Sequence, residues 1–433
     1  MMLVVGCSNT KRSAVGSVTS STRWGHGVAG DRESQVREGR RKVGRKEGKE
    51  AMLRGAVRFG MQRRMASIST GLVRDALTKY PHLPAGIATD SVKSLQIQYS
   101  AANERTKAAF LASLASEFPE KDHILLFQQL ASDQGLDSLI QLRNTVLNNM
   151  SAVPEMETLK RSLDTLFSYW LSPAVLRVQS FTRHRNNDEK WRSWTAFVMA
   201  NESVHKFRDV QDVEIRACGR NRRIYMLTSD SMKDPLAFVS VAFVPDVASS
   251  MKDIFDDGIY EAANTRNCDI TNPCAIFYSI NSPHKGLKGM DMGNILLKKM
   301  VYSSRFDDAA DFANVTKMST LSPIPTLAPY LRAKEIDFSS MTFGEQSVVV
   351  AEYLAVQKKD PVMRFHCANG AVLWRLNSMA DLSENGQRQS FGWMVNYLYD
   401  KDSLAQNAAN FQDNQSVAMS TQVAAIVKIR AKQ

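Results

Sequence analysis

Between Ser91 and Phe118, apolar side chains return every three or four positions, at Leu95, Tyr99, Phe110, Leu114 and Phe118. That is the spacing of one helix face, and Pro119 ends the run. A second helix is predicted over Lys121–Ser132. A third covers G-L-D-S-L-I-Q-L-R-N-T-V-L-N-N-M, with Leu136, Leu139/Ile140, Leu142/Arg143 and Val146/Leu147 in register. A fourth runs from Glu155 to Leu171 and stops before Pro173. Residues 86–176 are therefore expected to form an all-α helical bundle domain that scaffolds or assembles the protein. No chemical constellation stands out within it.

After Pro173 the pattern changes. The segments R-R-I-Y-M-L-T-S, L-A-F-V-S-V-A-F-V and A-I-F-Y-S-I are short and rich in β-branched and aromatic residues, as strands are. Asp234-Pro235 separates the first two, which predicts a hairpin. The third runs into Asn281-Ser282-Pro283 and then G-L-K-G-M-D-M-G (Gly286–Gly293). A helix is predicted over Gly293–Ser303, and V-T-K-M-S-T-L-S reads as a strand ended by Pro323. Strand, turn, helix and strand make a βαβ-like unit. Residues 177–433 are expected to be an α/β domain, and the whole chain α+β.

Composition narrows the options. Over 433 residues the hydrophobic share is 44%, ordinary for a packed protein. The longest apolar runs fall far short of the ~20 residues of a spanning helix, so no membrane span is expected. The net charge of +11 is local: residues 1–74 carry 16 Lys/Arg and 5 Asp/Glu, which leaves the remainder neutral. That argues against a nucleic-acid surface on the folded part. Five cysteines at irregular spacing and seven scattered histidines predict a reducing compartment, no structural zinc and no other metal.

Residues 1–51 are expected to be a disordered basic tail or an over-long gene model, with a nucleic-acid-binding arm as the alternative. Met52–Arg74 has five arginines, several hydroxyl residues and no acid. It reads as a mitochondrial targeting peptide, with Met52 as a start and a basic linker as the alternative.

Three stretches carry candidate chemistry. The glycine turn precedes a helix, whose first amides and positive dipole end favour an anion. It is neither a Walker loop nor G-x-G-x-x-G, so an ordinary turn stays open beside a phosphate site. Lys285 and Lys288 add charge there. In M-S-T-L-S-P-I-P, Pro323 and Pro325 stiffen the chain around Ser322, which describes either a turn or a held hydroxyl. In D-P-V-M-R-F-H-C-A-N-G, Asp360, Pro361 and Asn369-Gly370 frame a short helix. His366 sits in its last turn, where the helix dipole favours imidazolium and hence a proton donor near neutral pH. A structural histidine is the other reading.

Taken in order, these segments resemble one family. The stretch I-F-Y-S-I-N-S-P-H-K-G-L-K-G-M-D-M-G-N-I-L-L-K-K-M-V, with S-T-L-S-P-I-P, F-H-C-A-N-G-A-V-L-W-R-L-N-S-M-A-D and V-N-Y-L-Y, closely resembles malonyl-CoA decarboxylases over roughly residues 90 to 420. The resemblance implies a helical domain used for assembly, often into tetramers, and a GNAT-like acyltransferase fold for the catalytic domain. It implies CoA diphosphate on the turn Lys288, Gly289, Met290, Asp291, Met292, Gly293 and Asn294. It places the catalytic pair on Ser322 and His366, an active-site acid on Asp291 where Glu is usual, and an active-site tyrosine on Tyr399. The chain departs from the family at Lys288, where Gln is usual, and in a shorter span between Ser322 and His366.

The activity implied by the resemblance is decarboxylation of malonyl-CoA to acetyl-CoA without metal or prosthetic group. The matrix of mitochondria is the expected location, with cytoplasm or peroxisome as alternatives. Competing readings are an acetyl-CoA-dependent acetyltransferase and a dead CoA-binding interaction protein.

Overall fold

The computed structural model describes residues 68–79, 90–182, 188–255, 273–302 and 309–430. The expectations for residues 1–51 and for 52–67 lie outside them.

Six helices build the N-terminal layer: α1 (Thr70–Lys79), α2 (Asp90–Ala101), α3 (Glu104–Glu117), α4 (Glu120–Gln134), α5 (Leu136–Asn149) and α6 (Glu157–Trp170). The periodic run ending at Phe118 is two helices, not one. Asn103 breaks it, because its side chain accepts from the Thr106 amide and caps α3, the role for which Asn is favoured. Helix α1 overlaps the segment assigned to targeting. Its Val73 and Ala76 are fully buried, and Arg74 pairs with Glu117 of α3 at 2.9 Å.

The rest of the chain wraps an eight-stranded mixed sheet of order β1-β2-β3-β4-β5-β8-β6, with β7 against β8. The strands are β1 (Arg177–Ser180), β2 (Arg222–Thr228), β3 (Ala237–Val244), β4 (Cys274–Asn281), β5 (Lys317–Thr320), β6 (Ser322–Pro323), β7 (Val372–Asn377) and β8 (Met394–Leu398). The hairpin predicted around Asp234-Pro235 is β2–β3, antiparallel from Arg222↔Ala242 to Leu227↔Ala237. Burial on both faces explains the unbroken apolar runs: every residue of β2 and β3 is buried, as in a sheet covered on both sides.

The predicted βαβ unit is present. Strands β4 and β5 pair in parallel, Cys274↔Lys317 through Phe277↔Thr320, joined through the helix Met292–Tyr302. Pairing ends there, although β4 continues to Asn281. Beyond Leu321 the chain leaves β4, and Ser322 pairs instead with Val395 of β8. The two strands splay apart and open a wedge in the sheet.

One apolar cluster runs through both layers. It includes Leu139, Val146, Leu163 and Phe167 from the helices and Tyr225, Val239 and Phe277 from the sheet. The helical layer is thus packed onto the sheet.

Candidate active site

A cavity of about 800 Å³ fills the wedge. Its floor is β4 (Phe277, Tyr278, Ser279, Ile280), and its inner end is Ser322 and His366. Lys285, Lys288, Gly289, Asp291, Met292, Gly293 and Asn294 form its mouth. Two residues expected at the site do not line it. Met290 turns its side chain onto the core, and Tyr399 stands behind His366.

The mouth is a short 3₁₀ turn, Lys285–Leu287, leading to the helix Met292–Tyr302. Gly286 is needed for close approach: a Cβ there would lie 1.9 Å from the Ile140 carbonyl oxygen of α5. Gly289 has φ +88°, which only glycine adopts without cost. Asp291 is held at φ +51°, and its carbonyl accepts from the amides of Asn294 and Ile295. The amides of Met292 and Gly293, ahead of those bonds, have no acceptor among the described residues, and both residues line the end of the cavity that bears two lysines. Free amides at a helix start are the feature an anion site requires.

At the inner end the sequence frames His366 as expected. The Asp360 carboxylate caps Pro361–Ala368, accepting from the amides of Val362 and Met363. The protonation expected from the helix end does not hold. His366 is buried apart from the edge that lines the cavity, and burial pulls its pKa from 6.5 down to about 3. Desolvation outweighs the helix dipole because no charged group among the described residues faces the ring. His366 is neutral.

The ring stacks on Tyr397, with centroids 4.6 Å apart at 23°. Nδ1 lies 2.7 Å from the Tyr399 hydroxyl, and Nε2 lies 3.3 Å from Ser322 Oγ. Burial raises the Tyr399 phenol well above its usual pKa, so it keeps its proton. Nδ1 is the acceptor that proton has among the described residues. The hydroxyl therefore donates to Nδ1, and Nε2 carries the ring hydrogen towards Ser322. Ser322 Oγ in turn donates to Thr320 Oγ1 at 2.9 Å. The result is an oriented chain from Tyr399 through His366 and Ser322 to Thr320. Cys367, with its thiol pushed up to about 12 by burial, is a packing residue.

Several site residues carry no signal in the sequence. Thr320 and Tyr397 lie inside the segments that mark the family but do not stand out there. Asn144, Leu147 and Asn148 of α5 line the cavity, so the helical layer is part of the site and not only a scaffold. An arginine within an apolar stripe, Arg143, is the one available hint.

Comparison with known proteins bears on the family and the fold. A family model described as the malonyl-CoA decarboxylase C-terminal domain matches residues 191–351 and 341–433, and one described as the N-terminal domain matches 88–171. The chain is 27% identical over 362 residues to the mitochondrial malonyl-CoA decarboxylase of Anser anser anser, covering 70% of this chain and 68% of that protein. It is 25% identical over 358 residues to the Rattus norvegicus counterpart, covering 70% of each. Among solved structures, malonyl-CoA decarboxylase from Cupriavidus metallidurans superposes with a TM-score of 0.61 at 26% identity, covering 83% of this chain and 99% of that one. The Rhodopseudomonas palustris protein gives 0.67 at 24% identity, covering 82% and 97%, and shares the fold.

Proposed function

This chain belongs to the malonyl-CoA decarboxylase family, and we propose how its own residues convert malonyl-CoA to acetyl-CoA and CO2. The observation that carries the reading is the cavity itself. It joins a helix-start anion site at its mouth to a hydroxyl–imidazole pair at its inner end. A CoA thioester fits that order, with diphosphate on the turn, pantetheine in the wedge and malonyl at Ser322 and His366.

With substrate bound, Ser322 Oγ–H turns from Thr320, and His366 Nε2–H from Ser322, to donate to the malonyl carboxylate. Loss of CO2 moves its electron pair into an enolate, with charge on the thioester oxygen. Amides of β4 beyond Phe277, past the end of its pairing with β5 and lining the cavity, are the proposed donors to that oxygen, and each preorganised donor contributes ~3 kcal/mol. The substrate carboxylate is the charge this end of the cavity otherwise lacks. Its approach favours imidazolium, so His366 takes up a proton with substrate and delivers it to C2 of the enolate. A positioned acid contributes ~10²–10⁴-fold. Tyr399 acts through His366: its hydroxyl donates to Nδ1 of the neutral ring and turns to accept from Nδ1–H once the ring is charged.

Purified protein incubated with malonyl-CoA should release CO2 and acetyl-CoA in equal amounts. His366→Asn and Ser322→Ala should lose most turnover while folded; near-native rates in both would end this assignment. Acceptor-dependent CoA release without CO2 would point to acyl transfer instead.

The arginine-rich 52–74 segment and the mitochondrial relatives support delivery to the mitochondrial matrix. Because α1 packs Val73 and Ala76 into the core, processing upstream of Thr70 would spare the fold. A reporter fused after residue 69 and imaged in cells tests the address. Self-association, into a tetramer, is proposed through the helical layer, where Ile97 and Tyr169 stand 70% and 73% exposed. Light scattering of the purified protein decides it.

A further inference from the structure

We infer that Arg143, from the helical layer, is a positioning residue for the CoA diphosphate, acting through the Lys288–Gly289 peptide. The inference rests on the CoA-binding reading above and adds a residue to it.

Arg143 sits on α5, and its side chain is 3% exposed. Its Nε donates to Asp164 Oδ1 of α6 at 2.9 Å. Its Nη1 donates to two carbonyls of the mouth turn, Gly286 O at 2.5 Å and Lys288 O at 3.1 Å. Asp164 is itself held by Lys160 at 3.0 Å. A buried cation thus ends on two backbone carbonyls 143 and 145 positions further along the chain. Such charge-assisted bonds are stronger than neutral ones.

The geometry of the peptide unit turns this contact into an effect on the anion site. A trans peptide is planar, and its C=O and N–H point in opposite directions. The carbonyl of Lys288 and the amide of Gly289 belong to one such unit. With the carbonyl held by Arg143, the Gly289 N–H is turned the other way. Gly289 lines the cavity, and its amide has no acceptor among the described residues. The guanidinium also withdraws charge from that peptide, which makes its N–H a better donor to an anion.

The same turn is pressed against α5 at Gly286, where a Cβ would meet Ile140 O. Arg143 and this contact set the turn's height and orientation from the helical side. The helical region has no chemical constellation in its sequence, yet it holds the back of the anion site. The lysines at the mouth contact the ligand; Arg143 works only through the peptide.

The test separates this role from general structural support. Malonyl-pantetheine has the reacting group but neither diphosphate nor nucleotide. Arg143→Lys, which cannot span Asp164 and both carbonyls, should lower kcat/KM for malonyl-CoA about tenfold through KM, the loss of one charged hydrogen bond. Its kcat/KM for malonyl-pantetheine should stay within about twofold of wild type. Asp164→Asn keeps the arginine but loosens its aim, and should give a smaller loss of the same kind. Calorimetric binding of CoA against pantetheine reads the same selectivity without turnover.

A wild type that binds CoA but releases no CO2 would overturn the decarboxylase reading, while the CoA/pantetheine comparison still decides Arg143. Equal losses for both substrates, or no loss for malonyl-CoA in a folded Arg143→Lys protein, would overturn the role assigned to Arg143.

Discussion

His366 Nδ1 and the Tyr399 hydroxyl are 2.7 Å apart, and both groups are buried. Because the phenol keeps its proton, this contact decides which nitrogen of the neutral ring carries the hydrogen. It makes a residue 33 positions away the director of the imidazole without placing it against substrate. Tyr399→Phe keeps the ring packing and removes only the donor. We expect kcat to fall about tenfold, the worth of one hydrogen bond to a group that becomes charged, with KM little changed. Steady-state kinetics across pH would show a shifted profile. An unaltered profile would mean that the tautomer is set elsewhere.

The depressed His366 pKa also makes a statement about acid stability. In the fold it lies at about 3, against 6.5 for an unperturbed ring. The unfolded chain therefore takes up a proton first as pH falls. The contribution is complete above pH 6.5 and is lost progressively towards pH 3. Each unit of separation is worth ~1.4 kcal/mol, so the site steepens acid unfolding by on the order of a few kcal/mol. Urea midpoints measured from pH 7 down to pH 4 should fall less steeply in His366→Asn than in wild type. Parallel curves would show a solvated ring.

Substrate binding should be coupled to proton uptake. Burial keeps the imidazole neutral, and an anionic acyl group beside it reverses the preference. Sulfoacetyl-CoA carries a sulfonate that cannot leave as CO2. Its binding, followed by calorimetry in buffers of different ionisation heat, should take up about one proton near pH 7. His366→Asn should take up none. No uptake by the wild type would exclude His366 as the acid.

Gly286→Ala probes the contact between layers. The added methyl must displace the Ile140 carbonyl or the turn, and overpacking of this kind costs ~1–3 kcal/mol. Both Tm and CoA affinity should drop. A variant with native Tm and native CoA binding would show that α5 does not set the turn.

Much of this protein is readable along the chain. Local codes suffice for the β2–β3 hairpin around Pro235, for the strand–turn–helix–strand unit, and for the Asp360–Pro361 helix start, because each depends on residues a few positions apart. Ser322 and His366 are singled out by stiff or capped neighbours, and the family resemblance joins them.

Other features arise only when distant segments meet. The two-helix break at Asn103 is hidden in the sequence because apolar periodicity continues across it. The charge state of His366 goes the other way from the helix-end argument, because desolvation depends on Tyr397, Tyr399 and the sheet closing over the ring. Arg143 looks like one more residue of an apolar stripe; its partners at Gly286 and Lys288 lie in another layer. Sequence alone determined most of the elements and their order and singled out Ser322 and His366 as candidates, since these depend on local propensity and residue chemistry. Tertiary structure decided the burial and neutrality of His366, the hydrogen its ring carries and the contact of Arg143 with the glycine turn, since burial and long-range hydrogen bonds exist only in the folded chain.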